Sequence, residues 1–318
     1  MKITLLLVAF FLAAQYVGLL ITSEYVTVEE SIDISTGERQ YNVTNVTDLP
    51  LGVERVEVEE DFSWIYIMVA ILLGTILVLI LARFKQKKVW KMWYFLSLVF
   101  IMTFALDPFI GTLFAVLSSI VLAIYKTYKP NFLVHNITEI FLYGGLAAML
   151  VPIMNLFSAF AMLLAISAYD AFAVWKSKHM ITLAEFQSDS DVFAGLFIPY
   201  STKRRKTKIL MKNDTKTKRV AKGSESRQKS SDKKGSGSSG VTRAILGGGD
   251  IAFPLIFAGV VMKTAGFPGA AVIPPFAGIA LFVLLYMSKK GKFYPAMPFI
   301  TAGCIAGYLV LALINTIL

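Results

Sequence analysis

Asp170 and Asp250 each stand inside a long apolar run, where an ionisable side chain is least expected. A carboxylate within a membrane-spanning segment costs several kcal/mol, or at least about 2.5–3.5 kcal/mol on insertion scales, and by default marks a functional site. Two carboxyls at close range cannot readily both ionise, so such a pair shares a proton near neutral pH. The ionised partner can then take a proton from water while the protonated partner polarises a carbonyl, as in aspartic-protease hydrolysis. Paired buried acids also suit proton- or ion-coupled transport through a transporter or channel. Structural hydrogen bonding within a helix bundle is a third use for them.

The elements that hold these aspartates are membrane helices. The chain has 318 residues, of which 56% are hydrophobic and 16% charged, with a mean hydropathy of +0.65. Soluble domains carry about a quarter charged residues, so the composition argues against a water-soluble enzyme, and also against a disordered chain, which would be poor in apolar residues. A helix needs about 20 residues to cross a hydrocarbon core of about 30 Å. Nine candidate spans follow, at 3–21, 62–82, 92–106, 109–125, 138–154, 156–175, 245–262, 268–288 and 294–315. Asp107-Pro108 divides the third from the fourth, and the segment from Pro152 to Asn155 divides the fifth from the sixth. The first run continues to Ile21 without a small-x-small cleavage site, so it is expected to be a retained helix rather than a signal peptide. The fold class expected is therefore all-α, a polytopic membrane protein with nine transmembrane helices.

Charge sets the orientation. With the N-terminus cytosolic, the outside segments hold only Arg39, Arg55 and Lys263 among the basic residues, and all other Lys and Arg fall inside. Basic residues in short loops favour the cytosolic side, so the N-terminus is expected in the cytosol and the C-terminus outside. The net charge of +10 is then mostly a topology signal. No aromatic or motif pattern accompanies it that would suggest nucleic acid.

Three parts follow: an N-terminal bundle of six helices at 1–175, a basic cytosolic loop at 176–243, and a C-terminal bundle of three helices at 244–318. The outer loop at 22–61 is acidic, alternates like a strand over 53–58, and contains the sequons Asn42-Val43-Thr44 and Asn45-Val46-Thr47. The 176–243 loop ends in a Lys/Ser/Gly run at 222–240 that reads as a disordered linker. Its 180–200 stretch is semi-apolar and could dock at the membrane surface, and its basic residues, including those at 203–208, could lie against anionic lipid. The lone cysteine, Cys304, excludes an internal disulfide and a cysteine metal site. His135 and His179, like Glu139 and Asp107, are expected in polar loops or at span ends near water.

Depth ties the two aspartates together. Asp170 lies five residues before the inner end of the sixth span and Asp250 five residues into the seventh. At about 1.5 Å per residue, both sit about 7–8 Å below the inner ends of consecutive antiparallel helices. Tyr169 precedes Asp170 as a possible hydrogen-bond partner. Gly247, Gly248 and Gly249 precede Asp250, and without side chains they let backbone approach another chain or serve as a helix-packing face. Pro295, Ala296, Met297 and Pro298 open the ninth span on the same membrane side.

Together these motifs resemble the presenilin and signal peptide peptidase superfamily of intramembrane aspartyl proteases. Tyr169-Asp170 matches its Tyr-Asp motif on the sixth helix. Gly247-Gly248-Gly249-Asp250 matches its Gly-x-Gly-Asp motif on the seventh. Pro295-Ala296-Met297-Pro298 resembles the Pro-Ala-Leu motif of the ninth, with Met297 at the leucine position. The cytosolic N-terminus favours the presenilin-like branch, and the short chain resembles a microbial homologue. The resemblance implies an aspartic-type endopeptidase, a hydrolase that cleaves transmembrane helices of substrate proteins. It implies Asp170 and Asp250 as the catalytic pair, no metal or organic cofactor, the lipid bilayer as surroundings, and the cell membrane as location in a prokaryote. Self-cleavage within the 176–243 loop is open by the same resemblance.

Overall fold

The computed structural model describes residues 2–32, 39–128, 131–177, 194–201, 241–288 and 294–317, and among these described residues it has nine α-helices and two two-stranded antiparallel sheets. The helices are α1 (Lys2–Tyr25), α2 (Ser63–Arg83), α3 (Lys87–Ile110), α4 (Thr112–Tyr128), α5 (Phe132–Leu150), α6 (Leu156–Phe172), α7 (Gly249–Ala270), α8 (Ile273–Met287) and α9 (Met297–Ile317). Strands β1 (Val26–Ile32) and β2 (Arg39–Val46) form one antiparallel sheet; β3 (Gly195–Ser201) and β4 (Val241–Gly247) form the other. The all-α expectation thus holds for the bulk of the chain and misses two short sheets. Among the described residues seven helices are long and apolar enough to cross a membrane, while α4 and α8 are shorter apolar helices. Leu73, Ile76, Leu113 and Phe114 point outward from α2 and α4, as befits an integral membrane protein whose solvent is lipid.

Helix ends follow from which backbone groups lack partners. The expected turn at Asp107-Pro108 does not occur, because α3 continues through both residues to Ile110. Pro108 has no N–H to give the Phe104 carbonyl, and Tyr25 Oη donates to that carbonyl instead at 2.8 Å. The break comes at Gly111, whose φ of 76° is open to glycine and strained for other residues. Pro152 leaves the Ala148 carbonyl short of a donor in the same way, and the Arg55 guanidinium supplies one at 3.0 Å. Here the expected break between α5 and α6 is present. A 3-10 turn at Val151–Ile153 is followed by Asn155, whose side chain accepts the Ser158 N–H at 2.9 Å and caps α6.

Two boundaries change the position of candidate residues. The seventh span was expected to begin at residue 245, but residues up to Gly247 belong to β4, and α7 runs from Gly249 to Ala270. Pairing with β3, in the register Gly195↔Gly247 to Ser201↔Val241, holds this segment extended. Asp250 therefore lies in the first turn of α7 rather than five residues in, and Asp170 lies in the last turn of α6. In the 22–61 segment the alternating 53–58 stretch is not a strand; Val26–Ile32 and Arg39–Val46 are, each satisfying the other's backbone as an antiparallel pair. Residues 178–193 and 202–240 lie outside the described residues, and with them His179, the basic 203–208 run and the 222–240 linker expectation.

α7 is apolar on all sides and sits at the centre, as such a helix must. It packs against α1, α5, α6, α8 and α9. Small residues set the closest crossings. A Cβ on Gly144 of α5 would lie 3.1 Å from the Gly18 Cα of α1, and one on Gly303 of α9 would lie 2.7 Å from the Phe276 carbonyl of α8. α2 lies at the periphery, with only Ser63 and Ile67 buried.

Candidate active site

Three helix ends meet at one side of the bundle. α6, α7 and α9 pack mutually, and Asp170, Asp250 and the Pro295–Pro298 segment lie at their adjoining ends. Below Asp170, α6 widens into a π-helical turn, Ala173–Ser177. Met297 opens α9, where the first backbone N–H groups have no carbonyl within the helix to bind. The Asp170 carboxyl meets that need: its Oδ2 accepts the Met297 N–H at 3.1 Å, and the Ala296 N–H also points at the carboxyl. Pro295 and Pro298 have no N–H, so Ala296 and Met297 are the donors of this stretch. The positive end of the α9 dipole favours an anion at the same place.

Asp250 is held from its own loop. Its carboxyl turns back to the Gly247 N–H, and a Cβ on Gly247 would stand 3.2 Å from Oδ2. A Cβ on Gly248 would meet Tyr143 Oη at 3.0 Å and the Ala194 carbonyl at 3.5 Å, and one on Gly249 would meet the Phe253 ring at 3.2 Å. The three glycines thus serve close approach at a strand-to-helix junction, and only Gly248 makes that approach to another element. Asp170 and Asp250 lie within electrostatic range of each other. Asp170 is buried, and Asp250 and Tyr169 are partly buried.

Several residues around this site were not legible in the chain. Ser167 Oγ and Thr301 Oγ1 are 2.7 Å apart, joining α6 to α9 one turn away from the Asp170–Met297 contact. Gln15, seen in the sequence only as an interruption of an apolar run, is fully buried and donates from Nε2 to the Ile251 carbonyl at 2.8 Å. A lone polar residue in a membrane span was the available signal, and its partner was not.

Glu139 and His135 correct an expectation. They were expected near water, but α5 begins at Phe132, with Asn131 as its cap, and carries both into the interior. Glu139 Oε1 lies 2.5 Å from Lys126 Nζ of α4, and Tyr143 Oη donates to Oε2. His135 Nε2 lies 2.9 Å from the Gly195 carbonyl. The Asn136 amide grips the backbone of Phe197 twice, accepting its N–H at 3.1 Å and donating to its carbonyl at 2.9 Å. One face of α5 thereby holds the edge of β3 that β4 leaves open.

The family described as signal-peptide peptidase, presenilin aspartyl protease matches residues 55–317 of the chain. No curated protein sequence matches it. Two solved structures of a presenilin family intramembrane aspartate protease, in P2 and C222 space groups, share the fold. The first superposes with a TM-score of 0.58 at 16% identity, covering 97% of this chain and 96% of its own. The second gives 0.55 at 15% identity, covering 96% and 94%.

Proposed function

Because this chain belongs to the family of signal-peptide peptidases and presenilin aspartyl proteases, and is thereby an aspartic-type endopeptidase, we propose that it hydrolyses peptide bonds within transmembrane segments through Asp170 and Asp250. The observation that supports this reading is that Asp170 and Asp250 stand at adjoining ends of the packed helices α6 and α7, within electrostatic range of each other, with Asp170 held by the amides that open α9. In the proposed step one carboxylate takes a proton from a water molecule, whose oxygen attacks the scissile carbonyl carbon. The protonated partner gives its proton to the carbonyl oxygen. Collapse of the tetrahedral species breaks the C–N bond, and the amine leaves with a proton from the pair. The two roles belong to the pair, since one proton is shared between them. Family membership favours hydrolysis over ion transport as the use of these buried acids.

A helical substrate hides its scissile carbonyl in its own hydrogen bonds and must unwind locally. Freed backbone groups are costly in lipid, and pairing with a strand compensates them. Among the described residues the β3–β4 sheet has two strands. α5 takes the outer edge of β3, which leaves β4, leading directly into Gly247, Gly248 and Gly249, as the edge for an unwound substrate. The proline-broken start of α9 would line the other side.

The reading also includes nine crossings, with α4 and α8 spanning through local thinning of the bilayer, a cytosolic N-terminus, a cell-membrane location in a prokaryote, and the 176–243 loop as a separate basic segment between the two bundles. The experiment that tests the function is cleavage of a panel of transmembrane peptides by purified protein, read by mass spectrometry. Asp170→Asn and Asp250→Asn should each reduce the rate by about 10²–10⁴-fold. Full cleavage by both variants would end the proposal.

A further inference from the structure

The buried cluster on α5 points at the Gly248 loop, and the proposed hydrolysis as it stands does not use it. Glu139 directs its two oxygens in different directions. One pairs with Lys126 of α4, and the other receives the Tyr143 hydroxyl. Lys126, Glu139 and Tyr143 are all buried, so water does not compete for these contacts. The hydroxyl that Glu139 fixes is the atom against which Gly248 packs, at 3.0 Å from the place of a Cβ. Gly248 precedes Asp250 by two residues and caps α7. On the far side of Asp250, Gln15 of α1 holds the Ile251 carbonyl.

From this geometry we infer that Glu139 and Tyr143 are positioning residues for Asp250. Glu139, anchored by Lys126, sets the height of the Tyr143 hydroxyl, and that hydroxyl is the stop against which the Gly247–Asp250 turn rests. His135 and Asn136 hold β3 from the same helix face, so the strand pair and the turn share one support. A carboxyl that must meet both a water and a scissile carbonyl tolerates little displacement, since a misplacement of about 1 Å can cost about 10²-fold in rate. The inference rests on the assignment of Asp250 to the reaction.

The test is steady-state cleavage of a transmembrane peptide by the full chain in detergent, with thermal unfolding of each variant measured alongside. Tyr143→Phe keeps the ring and removes the hydroxyl. It should lower kcat about ten-fold with KM unchanged in a protein that still unfolds cooperatively, a split that a purely structural role would not produce. Gly248→Ala should lower kcat as well. The double variant should lose less than the product of the two single losses, because both changes act on one contact. Glu139→Gln should follow Tyr143→Phe in kcat; if that variant does not fold, the Tyr143–Gly248 cycle decides alone. Wild-type kcat in a folded Tyr143→Phe variant, or losses that simply multiply, would overturn the inference. Cleavage lost in Asp250→Asn but intact in Tyr143→Phe removes this inference alone. Cleavage that survives Asp250→Asn removes both it and the reading beneath it.

Discussion

Asp170 Oδ2 accepts the backbone N–H of Met297 at 3.1 Å, across 127 positions of sequence. The contact joins the last turn of α6 to the first turn of α9 and needs no side chain from Met297. It gives the segment Pro295-Ala296-Met297-Pro298 a physical role. Two prolines remove donors and start the helix, and the two residues between them offer their amides to a carboxylate.

Met297→Pro deletes that donor, while Met297→Leu keeps it and nearly conserves the buried volume. A hydrogen bond to a charged group contributes about 1.5–3 kcal/mol. The proline variant should therefore cleave about 10–100-fold more slowly, and the leucine variant should stay close to wild type. Comparable rates for both would show that the Met297 amide is not needed.

Cleavage should pass through a maximum as pH is raised. In acid both Asp170 and Asp250 are protonated and no base is left to activate water. In alkali both are ionised and no proton is left for the carbonyl oxygen. The profile of kcat/KM should be bell-shaped, reporting the pair rather than either residue. A flat profile between about pH 4 and about pH 9 would argue against shared-proton chemistry.

Ser167 and Thr301 should act as one unit. Ser167→Ala and Thr301→Val each remove the 2.7 Å bond between α6 and α9, and hydrogen bonds between membrane helices average about 0.6 kcal/mol. Each variant should show a small drop in the unfolding midpoint, and the double variant should show little more than either single one. Fully additive drops would mean that the two hydroxyls stabilise the protein separately.

Arg55→Met should destabilise the α5–α6 end of the bundle by about 1–3 kcal/mol, because it leaves the Ala148 carbonyl without its donor beside Pro152. Gly303→Ala should be at least as harmful, since its Cβ would stand 2.7 Å from the Phe276 backbone. Chemical unfolding in mixed micelles measures both. An unchanged midpoint in Arg55→Met would show that water replaces the guanidinium.

The sequence by itself determined that this is a membrane protein of long apolar helices and where most of them break, and it marked the two aspartates as out of place in lipid. Hydrophobic length is read within a window of about 20 residues, and a charge inside that window is conspicuous because lipid penalises it. The break from Pro152 to Asn155 was legible for the same local reason, since proline and an Asn cap act within one helical turn. Asp107-Pro108 was misleading. The helix survives there because Tyr25, far away in sequence, supplies the missing donor.

Tertiary structure decided the rest through partners that lie far apart in the chain. Residues 245–247 are apolar enough for a span, yet β3 draws them into a strand, which moves the start of α7 and brings Asp250 to its first turn. Glu139 and His135 looked like loop residues until Lys126, Tyr143 and the Gly195 carbonyl supplied what burial requires. A polar side chain can enter the interior only where another group meets it. Whether Asp170 faces an amide and Glu139 a lysine is therefore settled by how the helices pack, which no local window of sequence contains.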